Sequence, residues 1–427
     1  MIAFLVGALT RGPFRAFRSR DFALYWSSSV MAILSHFMLF IVRGWLALEL
    51  TDSPFAVAAV AASGEIPSLL LSIPGGILAD RISRKAVLIG GEIVNAITLV
   101  IIAGLVMTDQ MTILYLVILS VIAGSAFAVA IPARQAIVPN IVERDYIANG
   151  VALSSMMFSG GAVMGPAIAG WSLATMGMGE SFLLAAIISA VSVLFFLPVR
   201  TYQTARDGPP ASASAVWDDI VEGVRYIRGH STILALLALM LVIVIFGSPY
   251  EAVLSVFARD VLDVGEAGLG YLGAAGGAGA IVASLLVAAL NGPTAMRSYV
   301  VFGAIGLGVF VIAFALSEVL VTSLVFALGA GFSFQLVLTA NSALMQTLVN
   351  DEVRGRVTAV RSMLWGAAPI GMFLLGVMAE SFGTPYATAV TGVVTVVLSI
   401  VAVVLFSGLR RVHNITMESQ VPEQTSA

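Results

Sequence analysis

Four charged side chains stand inside long apolar stretches of the sequence, where an ionised group is costly. They are Arg43, Glu65, Glu92 and Glu251. Charged residues inside such stretches normally face the interior of a helix bundle or a water-filled cavity, and they mark ion pathways or ion pairs. A carboxyl group at such a depth can bind and release a proton, because burial brings its neutral and ionised forms closer in free energy. These residues therefore predict either proton transfer or static pairing between helices.

Glu65 is the first candidate for a proton carrier. It lies about ten residues from the end of its apolar stretch, which is about 15 Å along a helix. Arg43 lies on the preceding stretch at a similar depth, and we expect it to modulate the charge of Glu65. The alternative is a static ion pair between Arg43 and Glu65 that only joins two helices. Glu92 and Asn95 share a helix face, one turn apart, and are candidates to line a cavity.

Further polar or aromatic residues inside the apolar stretches are candidates to contact a small molecule. Methionine and aromatic side chains adapt to varied apolar ligands. In a chain with 17 methionines and 23 phenylalanines, however, most of them are expected to face lipid or the core. The candidates, besides Asn95, are His36, Gln335, Asn341, Trp365, Met156, Met157, Phe158 and Tyr271.

The composition excludes several other kinds of site. The 427 residues include no cysteine, which rules out disulfides, thiolate metal sites and cysteine nucleophiles. Only three histidines occur, far apart in the chain, so no metal site is expected. No Gly-x-x-x-x-Gly-Lys-Ser/Thr loop is present, so ATP is not expected as the direct energy source and no cofactor is predicted. We also expect no nucleic-acid partner.

Long apolar helices must position these residues. The chain is 59% hydrophobic and only 11% charged, with a mean hydropathy of +1.02, which places it among polytopic membrane proteins. Apolar runs of about 20 residues are long enough to span a bilayer as helices, whereas barrel strands would be short and alternating. Twelve such runs are predicted, near residues 23–48, 55–79, 86–107, 112–131, 147–176, 182–199, 233–257, 268–290, 299–316, 319–344, 357–379 and 387–406.

The placement of charge predicts the orientation. Of the 21 lysines and arginines, all but Arg43, Arg259 and Arg361 fall in the N-terminal arm, the even-numbered turns or the tail, and Arg134 is assigned to such a turn. This bias predicts a multi-pass protein of the cell (inner) membrane with both termini in the cytoplasm. An amphipathic helix between the sixth and seventh runs is expected to tether two bundles. The predicted division is an N-terminal arm (1–22), a first six-helix bundle (23–199), a linker (200–230), a second six-helix bundle (231–408) and a tail (409–427).

A charged turn lies between the second and third predicted helices. It reads Gly-x-Leu-Ala-Asp-Arg-x-x-Arg-Lys and contains Gly76, Asp80, Arg81, Arg84 and Lys85. This pattern resembles the signature at the same place in the major facilitator superfamily, although Ser83 stands where that family usually has glycine. The resemblance implies a charge cluster of Asp80, Arg84 and Asp145 that breaks when the inner side opens. The basic residues alone are also consistent with a simple cytoplasmic anchor.

The fifth predicted helix contains Gly161, Gly165, Pro166 and Gly170. Glycines four residues apart permit tight helix contact, and the proline bends the helix. The pattern resembles the Gly-x-x-x-Gly-Pro-x-x-Gly-Gly signature of exporters in the superfamily, with Ala169 replacing one glycine, and this resemblance implies outward transport. Packing alone would produce the same pattern.

Two further motifs narrow the resemblance. Residues 132–139 and 354–357 are similar to features of the enterobactin-exporter and macrolide-efflux branch, within the drug:proton antiporters. One departure is Ser120, which stands where many proton-coupled drug exporters have an arginine. The coupling scheme of those exporters therefore cannot be transferred whole to this chain.

The combined interpretation is an all-α membrane protein with twelve transmembrane helices in two pseudo-symmetric halves, the major facilitator fold. It predicts a monomeric secondary transporter, embedded in lipid, that exports an amphipathic small molecule of the drug, macrolide or siderophore type by alternating access in exchange for protons. A lysolipid or lipid flippase and an importer on the same fold are the alternatives. A membrane enzyme is disfavoured, because the acidic residues in the turns are interspersed with arginines.

Overall fold

The computed structural model of the chain describes residues 14–81, 83–200, 213–289 and 293–406. Within these ranges every regular element is helical, and twelve helices are long and apolar enough to cross a membrane, which confirms the predicted fold class. The twelve helices, numbered in chain order, are α1 Arg20–Thr51, α2 Pro54–Arg81, α3 Arg84–Met107, α4 Ile113–Ile137, α5 Ile147–Met176, α6 Met178–Phe196, α7 Ser231–Val261, α8 Gly265–Ala289, α9 Pro293–Ala315, α10 Leu320–Leu348, α11 Glu352–Phe382 and α12 Thr384–Leu405.

The ends of several helices are fixed by local hydrogen bonds. The side chains of Ser19, Ser83 and Thr112 accept bonds from the backbone N–H three residues later, at the starts of α1, α3 and α4. Such side chains satisfy a backbone donor that has no partner inside the helix. At the other end of α1, Asp52 adopts a left-handed conformation with φ of 49°, which ends the helix.

The two halves pack their helices in corresponding pairs. In the first half α2 lies along α4 and α3 packs on α4 and α6, and in the second half α8 lies along α10 and α9 packs on α10 and α12. The halves meet through two corresponding contacts, α5 with α8 and α11 with α2. Helix α5 of the first half corresponds to α11 of the second, and α2 corresponds to α8, so the two contacts are equivalent. Such a pair of contacts is expected for a pseudo-two-fold axis between two repeats.

The principal contacts between the halves lie on one side of the bundle. We call the side where α1 begins and α2, α4 and α6 end the N-face, and the other side the opposite face. Toward the opposite face, a Cβ built on Gly170 of α5 would lie 2.5 Å from the Cα of Gly270 in α8, so the two backbones touch. Arg259 Nη1 in α7 lies 2.9 Å from Asp52 Oδ1 after α1. The halves are thus joined from the middle of the helices to the opposite face.

Helices α7 and α11 are interrupted at prolines near their centres. In α7 a π-helical turn, Ile243–Gly247, is followed by a 3-10 turn that begins at Pro249. Pro249 lacks the backbone N–H that would bond the carbonyl of Ile245 in a regular helix. This carbonyl lies instead against the backbone of Gly371 in α11, where a Cβ would not fit. Helix α11 has its own 3-10 turn just before Pro369.

A shorter helix, Ala213–Gly229, connects the halves at the N-face, where the sequence predicts an amphipathic helix. Its Glu222 Oε1 lies 2.7 Å from Arg356 Nη1 in the first turns of α11, and Gly223 packs on the backbone of Arg356. Ile227 is buried. The connecting helix is therefore docked on the second half through its own side chains.

Candidate functional site

Glu92 and Arg134 form a buried ion pair inside the first half. Arg134 Nη2 lies 3.0 Å from Glu92 Oε1, and the two side chains are 6% and 11% exposed. The second carboxylate oxygen, Oε2, accepts a hydrogen bond of 3.1 Å from Ser189 Oγ on α6. Both oxygens of Glu92 are therefore engaged, which offsets part of the cost of removing two charges from water.

Arg134 reaches this pair because α4 is longer than the sequence predicts. The expected end near residue 131 is wrong, since the helix continues through Pro132 to Ile137. Proline is tolerated in membrane helices where neighbouring groups satisfy the freed backbone carbonyl. Arg134 therefore lies in the last turn of α4, where a cation is favourable, and not in a turn outside it. Tyr25 Oη on α1 donates a hydrogen bond of 2.9 Å to the backbone carbonyl of Arg134.

Asn95 extends the network from Glu92 to α1. Its Nδ2 donates to Ser189 Oγ at 3.1 Å and to Ser35 Oγ at 3.4 Å. Ser35 in turn donates to the backbone carbonyl of Ala185 on α6 at 2.9 Å. Glu92 and Asn95 thus face one cluster of hydroxyl groups, which agrees with the shared helix face that their spacing predicts.

Two crevices meet at Glu92. The near crevice lies toward the N-face, and its lining includes Tyr25, Ser28, Ser29, Arg134 and Ser192. The deep crevice lies toward the middle of the bundle, and its lining includes Ala32, His36, Asn95 and Phe127. The imidazole of His36 stacks on the ring of Phe127 with 3.6 Å between the ring centroids. Each crevice has room for about one water molecule.

Arg43 is a second buried cation, and it lies in the part of α1 nearer the opposite face. Arg43 is 3% exposed, and its guanidinium lies directly against the backbone of Gly64 in α2. Within the described residues, Arg43 Nε and Nη2 have no hydrogen-bond partner. Glu65, the next residue of α2, interacts with Arg43 electrostatically without a direct ion-pair contact in the described structure. The choice between a proton carrier with its modulator and a static ion pair of Arg43 and Glu65 therefore stays a prediction.

The basic residues after α2 cap other helices of the first half. Arg84 Nη1 donates to the carbonyl of Ala136 at 2.6 Å, and Lys85 Nζ donates to the carbonyls of Leu197 and Val199 at 2.6 and 2.7 Å. Ala136 lies in the last turn of α4 and Leu197 directly follows α6, and positive charge is favourable at both helix ends. Val199 lies in the segment after α6. Asp145 is exposed. The side chains at Gly76, Asp80 and Arg81 lie outside the described part of the structure, so the cluster of Asp80, Arg84 and Asp145 stays a prediction.

The glycines and proline of α5 face two different helices. Gly161 and Gly165 pack against Ile33 and Phe37 of α1. Gly170 touches the backbone of α8, and Pro166 packs against Gly273 of the same helix. The motif therefore forms part of the contact between the two halves, and its bearing on the direction of transport stays a prediction.

The remaining candidates for a substrate cavity are dispersed. Asn341 is buried, and its Nδ2 donates to the carbonyl of Leu236 at 2.8 Å. Gln335 Nε2 donates to Thr339 Oγ1 one turn away, at 2.9 Å. Trp365 is 40% exposed. Met156, Phe158 and Tyr271 are also exposed, whereas Met157 is buried. Among the described residues, no three histidines, aspartates or glutamates come together as a metal site would require.

Comparison with known proteins agrees with this architecture. Residues 11–426 match the family described as transmembrane secretion effector. The chain is 26% identical to the multidrug efflux pump Tap of Mycolicibacterium fortuitum over 369 residues, which are 84% of this chain and 90% of that protein. It is 25% identical to the staphyloferrin A transporter of Staphylococcus aureus over 381 residues, 88% of this chain and 94% of that protein.

Solved structures of transporters have the same fold. A POT family transporter in complex with 5-aminolevulinic acid superposes with a TM-score of 0.73 at 14% identity, covering 92% of this chain and 97% of that one. The nucleoside transporter NupG gives a TM-score of 0.71 at 15% identity, covering 90% of this chain and 99% of that one. The chain therefore belongs to the transmembrane secretion effector family, whose members are transporters of the major facilitator superfamily.

Proposed function

We propose that the protein exports an amphipathic small molecule by alternating access, in exchange for protons. The observation that carries the proposal is the pair of equivalent contacts, α5 with α8 and α2 with α11, by which the two halves meet. These contacts run from the middle of the helices to the opposite face, which suits a state with access from the N-face. Rocking of one half against the other about a central site is how such repeats alternate access.

Two observations support export. The exporter-like motif of α5 lies in the contact between the halves, where Gly170 touches the backbone of α8. One relative is a multidrug efflux pump and another is a staphyloferrin A transporter, which favours a compound of the drug, macrolide or siderophore type. An importer and a lysolipid or lipid flippase are the competing functions on the same fold.

We assign proton coupling to Glu65, with Arg43 as its modulator. Arg43 is buried, and two of its nitrogens lack a hydrogen-bond partner in the described residues. Glu65 is the acid whose negative charge acts on Arg43. A proton on Glu65 would remove that negative charge and leave a buried cation, which is strongly unfavourable. Protonation therefore favours a different packing of α1 on α2, and this difference couples the proton to the conformation.

The N-face is proposed to be cytoplasmic, with the protein in the cell membrane as a monomer. The basic side chains of Arg84, Lys85 and Arg356 lie on this face, and acidic residues such as Asp52 and Glu380 lie on the opposite face. Positive charge is retained on the cytoplasmic side of membrane proteins. The predicted arm, bundle, linker and tail boundaries are part of the same proposal.

The proposal is tested by accumulation of dyes, antibiotics and siderophores in cells with and without the protein, each in the presence and absence of a proton uncoupler. We expect lower accumulation of at least one class, reversed by the uncoupler. Glu65→Gln should abolish this difference, whereas Glu318→Gln, an exposed acid between α9 and α10, should retain it. Higher accumulation with the protein would favour import, and movement of a fluorescent lysolipid alone would favour a flippase.

A further inference from the structure

We infer that Glu92 is a proton-binding site that water reaches through the interior of the first half, by a route separate from the contact between the halves. The two crevices on either side of its carboxylate carry this inference. Its role in transport rests on the proposed proton exchange. Water access and protonation at Glu92, however, are measurable without any transported compound.

The near crevice lies between Glu92 and the N-face end of the bundle. Tyr25 lies in the second turn of α1, and Phe196 is the last residue of α6, so these lining residues mark the N-face end of the bundle. The hydroxyl groups of Tyr25, Ser28 and Ser29 line the same space. A buried water requires about two to four polar partners, and this crevice supplies them. Water at this place would extend from the carboxylate toward the N-face, which is the first step of the proposed route.

The route does not use the helices that join the halves. The lining residues of both crevices belong to α1, α3, α4 and α6. The principal contacts between the halves are made by α5 with α8 and by α2 with α11. A proton at Glu92 and a small molecule between the halves would therefore occupy different spaces, and neither would have to leave before the other could bind.

The surroundings of Glu92 allow its carboxylate to accept a proton. The titratable groups that face it are Arg134 from α4 and, across the two crevices, Tyr25 and His36 from α1. From α6 it meets only hydroxyl groups, of which Ser189 bonds Oε2. A proton from water in the near crevice would add to Oε1, the oxygen that now contacts Arg134. The bond from Ser189 to Oε2 can remain.

Protonation would change the position of Arg134. The carboxylate becomes a neutral carboxylic acid, and the described ion pair of Arg134 is lost. A buried cation without its counter-charge is unfavourable, so the last turn of α4 would repack or admit water from the near crevice. Glu92 thus links protonation to the packing of α4, at a distance from the Arg43 and Glu65 pair.

Water access is tested with single cysteines, because the chain has none of its own. Ser29→Cys and Ser192→Cys place thiols in the near crevice, and Ser181→Cys, on α6 but outside both crevices, is the matched control. The purified variants are exposed to silver ions, which are small enough to follow water, and the thiols left free are counted with a maleimide after denaturation. The crevice thiols should react at least about tenfold faster than the control. Equal rates at all three positions would refute the water route.

Protonation is tested by infrared spectroscopy of the purified protein between about pH 5 and pH 9, the range around neutrality where a buried carboxyl can titrate. The pH-dependent carboxylic-acid signal should be smaller in Glu92→Gln than in the wild type. The same loss should appear when Glu92→Gln is added to a Glu65→Gln and Glu251→Gln background, which lacks two other acids of the apolar helices, neither of which lines a crevice. Identical spectra for the wild type and Glu92→Gln would overturn the inference. If the band behaves as expected and no compound is exported, the proposed function fails and the site stands.

Discussion

The two halves of the bundle pack their helices in the same pairs, yet they bury different groups. The charged residues that are fully buried in the described structure, Arg43, Glu92 and Arg134, all belong to the first half. In the second half Glu251 and Arg361 are only partly buried, and the buried polar groups are hydroxyl and amide groups such as Ser333 and Asn341. It also contains α7 and α11, the two helices interrupted by 3-10 turns at prolines.

This difference indicates that the two halves, although they share one helix arrangement, contribute different properties to transport. Buried charges respond to protonation, because adding or removing a proton changes which packing is favoured. Irregular turns inside a helix are places where it can bend, and they often occur at functional positions. The first half is therefore suited to sense protons, and the second half is suited to change shape when the first half does.

The largest expected effect comes from breaking the buried ion pair. Arg134→Gln leaves the carboxylate of Glu92 without its counter-charge and should destabilise the protein by about 3–5 kcal/mol. Arg361→Gln in the second half removes a partly buried cation that bonds the hydroxyl of Ser342, and it should cost only about 1 kcal/mol. Thermal unfolding of the detergent-solubilised variants measures both.

The double variant Arg134→Gln with Glu92→Gln is the control for this comparison. It removes both charges, so most of the lost stability should return. If the single and double variants unfold at the same temperature, the penalty comes from lost packing of the arginine and not from the unpaired carboxylate.

The next effect concerns the two contacts between the halves. Gly170→Ala would place a Cβ 2.5 Å from the Cα of Gly270, so the backbones of α5 and α8 would have to separate. Gly376→Ala, in the equivalent contact of α11 with α2, meets the Cβ of Ala58 at 2.7 Å. Since both contacts tolerate no added atom, each change should reduce uncoupler-sensitive efflux by about tenfold or more.

Gly104→Ala on α3 is the matched control, because its added Cβ meets no atom within 4 Å. It should leave efflux unchanged. Full activity of Gly170→Ala would show that the contact between α5 and α8 is not needed in the transport cycle.

Most of the fold could be predicted from the sequence, because length and hydropathy determine which segments can cross a membrane. The twelve helices, their order and the helix between the halves all follow from composition and charge. The candidate site was only partly predictable. The shared face of Glu92 and Asn95 follows from helical spacing, whereas their partners Arg134 and Ser189 are distant in sequence and become neighbours only through tertiary packing.

Pro132 explains why Arg134 was missed. A proline ends most helices in water, so the apolar run appears to stop near residue 131 and the arginine appears to lie in a turn. Inside a bundle the freed carbonyl can be satisfied by neighbours, and α4 continues. An available signal was the acid at Glu92, which lies about 12 Å into α3 and required a compensating cation at a similar depth.

At Asp80 we expect an effect on transport and none on stability. Because the implied charge cluster includes Asp80, Asp80→Asn should leave thermal unfolding unchanged and reduce uncoupler-sensitive efflux by about tenfold, a change of about 1.4 kcal/mol in the activation free energy of the slowest step. The second half has no aspartate at the corresponding turn, where only Gly292 and Arg297 remain of the motif. Unchanged efflux in this variant would reduce the turn after α2 to a membrane anchor.

The smallest effect is expected at Lys85. Its Nζ donates to the carbonyls of Leu197 and Val199 at the end of α6, so Lys85→Met removes a positive charge from a helix C-terminus. Such an interaction contributes about 0.3–1 kcal/mol, and salt screens it. The variant should therefore unfold at a slightly lower temperature than the wild type in low salt, and the difference should shrink in high salt. A difference that is independent of salt would mean that Lys85 stabilises α6 through packing of its alkyl chain. The positive charge of the turn after α2 would then make no contribution to the stability of the first half.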